Sequence, residues 1–162
     1  MKSFQITARD ERYMEMAARL SEENVARGGG PFAAVIVRGD EVLATGCNSV
    51  TIDNDPTAHA EVNAVREACR RAGTFRLEGA VVYTSCEPCP MCLPALYWAG
   101  VARIYYGNTQ ADADAIGFGD QFIYRQIDTP PLERAVPCIR VEQPATLRAF
   151  ALWEAKADKT VY

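Results

Sequence analysis

The chain has 162 residues, 49% of them hydrophobic and 23% charged, with a net charge of −4. That length and balance suit one globular domain able to bury a core, and they exclude a disordered chain. The acidic balance gives no pull toward nucleic acid or anionic membrane, and no stretch approaches the roughly 18 apolar residues of a membrane span.

Residues 7–27 read as a first helix. Thr7 is its cap, Asp10 and Glu11 favour its first turn, and Gly28-Gly29-Gly30 stops it. Residues 33–38 and 41–46 read as two strands around Gly39-Asp40, a two-residue hairpin signal. Residues 48–56 form a polar loop, and Thr57 opens a second helix that Gly73 ends. Residues 80–85 are a buried strand. Glu87-Pro88 leads into a third helix that runs through Trp98 and stops at Gly100. Residues 101–106 are a further strand, followed by a short helix near 111–116 and an irregular segment to Arg125. Residues 137–141 read as a last strand, 144–157 as a final helix, and the rest as a tail. The alternation implies an α/β fold, a mixed sheet with helices on both faces. With no repeat and no linker, residues 1–162 are expected to form one domain.

His59 is the only histidine, and Glu61 follows it by two. Pro88-Cys89-Pro90-Met91-Cys92 lies some way downstream. Together they read H-x-E…P-C-x-x-C, the signature of zinc-dependent nucleobase deaminases. His59, Cys89 and Cys92 supply three ligands and leave the fourth tetrahedral position to water, as in a catalytic zinc site. A complete structural site would need a fourth ligand. No second histidine exists, and Cys86, at the end of its strand, is read as structural. Two thiolates and a neutral imidazole cancel the charge of the ion, and zinc makes its water acidic near neutral pH. Glu61 is then free to move protons.

The opening Met1-Lys2-Ser3-Phe4-Gln5 lacks the apolar run of a signal peptide, so the expected compartment is the cytoplasm. Thiols stay reduced there, and Cys47, Cys69 and Cys138 are expected as small core residues.

Longer runs go beyond the zinc motif. Gly30-Pro31-Phe32, Asn48, residues 54–61, residues 83–92, Tyr97-Trp98-Ala99 and residues 117–124 closely resemble bacterial guanine deaminases of the cytidine-deaminase superfamily. The match covers nearly the whole chain. It implies a three-layer α/β/α sandwich around a five-stranded mixed sheet. It also implies a zinc-dependent conversion of guanine to xanthine and ammonia. Phe32 would stack on the base, Asn48 would bond its edge, Ala60 would offer its backbone amide, and Trp98 would form a wall. Asp112, or Asp114 two positions on, would be a second carboxylate near the exocyclic amine. Pro94 departs from the small residue the family carries there, and it removes an amide donor near the helix start.

Other substrates share this chemistry: guanosine, ammeline, cytosine, or adenosine in transfer RNA. The acidic balance counts against nucleic acid as a partner. A non-catalytic zinc module would have no use for Glu61. The final helix has a large apolar side, Leu147, Phe150, Ala151, Leu152 and Trp153, and the chain ends in Tyr162. With the family's exchange of C-terminal segments, this implies a homodimer in which residues 144–162 cross to the partner and Tyr162 contacts substrate.

Overall fold

The computed structural model describes residues 5–161, which fall into two compact units divided between Gln121 and Phe122. The first unit begins with helix α1 (Ala8–Ala26), capped as expected. The Thr7 hydroxyl accepts from the Asp10 amide at 3.3 Å, and the Asp10 carboxylate accepts from the Thr7 amide at 2.9 Å. Strands β1 (Ala33–Arg38) and β2 (Glu41–Cys47) pair antiparallel across the two-residue turn, with a bulge between Ile36 and Val37. Gly39 takes a positive φ of 58° in that turn, a conformation its missing Cβ permits.

A one-turn helix α2 (Val50–Asp53) interrupts the loop that was expected to be irregular. Helix α3 (Ala60–Ala72) ends at Gly73 in the left-handed region, where the sequence placed its stop. Strand β3 (Val81–Cys86), helix α4 (Cys92–Trp98), strand β4 (Arg103–Asn108) and helix α5 (Gln110–Ala115) complete the unit. Pro94 falls in the first turn of α4, where a missing amide donor is tolerated.

The sheet order is β2-β1-β3-β4, with β1 antiparallel to both neighbours and β3 parallel to β4. Five successive residues of β1 are buried, as expected of a strand covered on both faces. Ala34 and Ile36 point into one apolar cluster with Ala60, Ala64 and Leu96 of α3 and α4. Val35 and Val37 point into another with Tyr13 and Ala17 of α1. This is the three-layer α/β/α arrangement.

Among the described residues the sheet has four strands, not five. Residues 137–141 make no ladder. All five are exposed, and Pro137 has no amide to donate. The second unit instead holds α6 (Gln121–Asp128), where an irregular segment was expected, a 3-10 turn (Pro131–Glu133) and α7 (Pro144–Ala155). None of its described residues is buried, and Cys138, expected in a core, is exposed. Its Leu132, Val136, Ile139, Leu147, Phe150 and Trp153 all lie at the surface.

One polar group ties α1 to the sheet. The second oxygen of Asp10 accepts from the Tyr83 hydroxyl at 2.7 Å inside the core. Tyr83 in turn stacks on Tyr105, with ring centres 5.1 Å apart. The Thr7 hydrogen bonds, then that of Tyr83, hold the Asp10 carboxyl below its ordinary range. A carboxyl depressed in this way stabilises the fold above its unfolded value, about 3.9, and the contribution is lost as pH falls through the folded value. Asp10→Ala should therefore lower unfolding free energy by ~2 kcal/mol at neutral pH, from a lost cap and a lost charged hydrogen bond. In urea melts the difference from the parent protein should shrink as pH drops below about 4.

Candidate active site

Helix α3 reaches the site because its backbone lies directly on β2. A Cβ at Gly46 would collide with the Ala60 carbonyl and the Ala64 backbone, so only glycine allows this approach. The helix begins later than expected, at Ala60, with His59 as its N-cap. The His59 side chain makes no capping bond, and its ring faces the cysteines instead. Cys89 precedes α4 rather than lying on it. The turn brings its sulfur within 3.4 Å of the Cys92 amide, which donates to it.

Both sulfurs, Cys89 Sγ and Cys92 Sγ, lie 3.5 Å from His59 Nδ1, and the three ligand atoms are all within 4.8 Å of one another. Tetrahedral zinc with its usual bond lengths sets nitrogen and sulfur ~3.5 Å apart, so the three atoms fit the ion. The Cys92 hydrogen bond, reinforced by His59, brings the Cys89 thiol down to about 4, while the bond to Cys89 and burial push Cys92 up. The hydrogen bond to Cys89 raises His59.

Glu61, in the first turn of α3, is 6% exposed, and burial raises its carboxyl above the ordinary range. The Cys92 thiol acts against that rise. A buried acid beside a metal set, held toward neutrality, can both take and give a proton.

Phe32 is half-buried and meets Phe118 edge-on, with centres 5.0 Å apart and planes at 89°. Asn48 is buried. Its amide donates to the Phe32 carbonyl at 3.0 Å, and its Oδ1 accepts from the Val50 amide at 3.3 Å. Ala60 is fully buried at the α3 N-terminus, where helix amides lack intrahelical acceptors. Trp98, at the end of α4, is 67% exposed. Tyr162 lies outside the described residues.

Asp112 does something other than expected. Its carboxylate closes a capping box on α5, accepting from the Thr109 amide at 2.8 Å and the Thr109 hydroxyl at 2.7 Å, and it is exposed. Threonine followed three residues later by aspartate is a cap signature readable in the sequence. Asp114 lies against Gly119. The acid that feels the site is Asp120, half-buried, its carboxyl raised by burial and by the nearby Cys89 thiolate. It stands inside the Gly-Phe-x-Asp run already singled out, which was the available signal.

Residues 7–108 match the family described as the cytidine and deoxycytidylate deaminase zinc-binding region. The chain belongs to that family. This deaminase is 46% identical to guanine deaminase of Bacillus subtilis over 153 residues, 94% of this chain and 98% of that one. The X-ray structure of guanine deaminase from Bacillus subtilis superposes with a TM-score of 0.92 at 45% identity, covering 97% of this chain and 99% of that one. A tRNA-specific adenosine deaminase of Aquifex aeolicus is 34% identical over 126 residues, 78% of this chain and 81% of that one.

Zinc is thus the cofactor of this deaminase, and its site is testable ligand by ligand. Cys89→Ala and Cys92→Ala should each lose most bound zinc by metal analysis of the purified protein. Both should melt at lower temperature, because metal binding is linked to folding.

Proposed function

We propose that this chain hydrolyses guanine to xanthine and ammonia, in purine catabolism or salvage. The reaction type rests on one observation, the buried Glu61 carboxyl beside His59, Cys89 and Cys92. The substrate rests on the likeness to a guanine deaminase across nearly the whole of both chains.

Zinc, when bound, supplies positive charge and an acidic water at its open position. Glu61 takes a proton from the attacking water, whose oxygen bonds to the amino-bearing ring carbon. It delivers that proton to the ring nitrogen. The second water proton follows the same route to the amine. The carbon–nitrogen bond then breaks and ammonia leaves.

Phe32 stacks on the base, braced edge-on by Phe118. Asn48 Nδ2 donates to an acceptor on the base edge, the Ala60 amide donates to another, and Trp98 and Tyr162 wall the pocket. Asp120 takes the place first given to Asp112, as the second carboxylate near the exocyclic amine. Two thiolate ligands suit a reducing compartment, the cytoplasm.

The assembly is a homodimer, one domain per chain, in which residues 144–162 close the partner's site. The apolar surface of the second unit supports this: Phe150 is 75% exposed and Leu147 67%, more apolar side chain than a solvated terminus carries without a partner.

The deciding experiment measures ammonia release from guanine, guanosine, cytosine, adenine, ammeline and transfer RNA. Guanine should give the highest kcat/KM; a higher value for any other overturns the substrate. Glu61→Gln should keep its zinc and lose at least ~10²-fold in kcat. Removing residues 158–162 should spare zinc and fold yet impair turnover. Mixing that truncated chain with full-length Glu61→Gln should restore activity, because one hybrid site joins an intact Glu61 to an intact tail. Normal turnover by the truncated chain, or a monomer in sedimentation, would refute the exchange.

A further inference from the structure

Asn24 is one of the few polar side chains in the core, 4% exposed near the end of α1. Its carbonyl accepts from the C-cap Arg27 amide at 3.1 Å, while its side-chain nitrogen spans two segments. Asn24 Nδ2 donates to the Gly30 carbonyl at 2.8 Å and to the Asn48 carbonyl at 2.8 Å. Both neighbours are carbonyls, so both need the NH2 end of the amide, and its two hydrogens are fully used. Gly30 opens the turn into Phe32, and Asn48 carries the side chain assigned to the base edge. The Asn48 amide already donates to the Phe32 carbonyl at 3.0 Å. The Asn48 backbone is thus fixed at its nitrogen by Phe32 and at its oxygen by Asn24.

On the far side, Asn63 of α3 holds the residues flanking Asn48. Its Nδ2 lies 2.9 Å from the Cys47 carbonyl, 3.1 Å from Ser49 Oγ and 3.3 Å from the Ala58 carbonyl. Asn63 also donates its backbone amide to the His59 carbonyl at 2.9 Å. Asn24 bonds to no residue of the metal set. Glycine at position 29 protects the strut, since a Cβ there would collide with the Asn24 amide and the Asn48 carbonyl.

We infer that Asn24 is a positioning residue for base recognition: by holding the Asn48 carbonyl and the Gly30 carbonyl at once, it aims Asn48 Nδ2 at the substrate. The inference rests on the guanine reading and on Asn48 as the base-edge donor. Losing the strut costs binding common to ground state and transition state, and so raises KM more than it lowers kcat. A purely structural role would reduce the folded or zinc-loaded fraction, which lowers apparent kcat and leaves KM alone.

The test is a double-mutant cycle in the zinc-loaded enzyme with guanine, using Asn24→Ala, Asn48→Ala and both together, each assayed for zinc and melting temperature. Asn24→Ala should raise KM about 3- to 10-fold, the worth of one neutral hydrogen bond, with kcat per bound zinc nearly unchanged. On the Asn48→Ala background the same change should add no further rise in KM, because its effect runs through that side chain. Gly29→Ala, which pushes on the same strut from a surface loop, should reproduce the KM rise and serves if Asn24→Ala does not fold. If Asn48→Ala raises KM while Asn24→Ala and Gly29→Ala leave it unchanged, the positioning role is wrong. Additive KM effects in the cycle overturn it equally. If Asn48→Ala itself leaves KM unchanged, the base-edge assignment fails, and the inference with it.

Discussion

Everything at the site depends on the backbone of α3 lying on Gly46 of β2. Helix and strand touch there without an intervening side chain. That contact sets the depth at which the helix begins. His59 ends up at its lip, aimed at the cysteines, and Glu61 two residues on in the first turn, out of water. The parallel pairing of β3 with β4 runs to the last residue of each strand, Cys86 opposite Asn108, and the turn that follows carries Cys89 toward the same point. The loops leaving β2 and β3, which lie on either side of β1, converge, as ligand sites in open α/β sheets do. The ligands therefore come from segments whose separation is fixed by the sheet.

The two faces of that sheet have different tasks. One packs alanines of α3 against small strand residues, which lets the helix come close. The other packs tyrosines under α1 and hides the Asp10 carboxylate among them. Close packing serves the site, and the bulky aromatic face holds the long first helix down. That helix in turn delivers Asn24 to the back of the recognition loop.

Much of this was legible in the residues. The capping box at Thr7, the hairpin at Gly39-Asp40 and the stop at Gly73 are local chemistry, and the structure has them where the sequence put them. The zinc triad was legible because three ligand types at that spacing serve one chemistry. Other features were not. The start of α3 slipped from Thr57 to Ala60 because Asp55 engages Thr57 in a local turn, its carboxylate accepting from the Thr57 amide at 2.8 Å. The cap that Asp112 makes with Thr109 went unread, although threonine three residues before an aspartate signals it. The fifth strand failed because the residue types along 137–141 say nothing of whether a neighbouring strand is available to pair with them.

The placement of the two tryptophans has an optical consequence. Trp98 and Trp153 are 67% and 44% exposed, while the aromatic rings sealed inside the first unit are those of Tyr13 and Tyr83. Indole emission from this protein therefore reports on whatever covers the surface rather than on the packing of the core. A blue shift on raising protein concentration would signal association with no change in fold. Core melting would instead be followed through the near-ultraviolet signal of the tyrosines, so one sample carries two separate optical clocks.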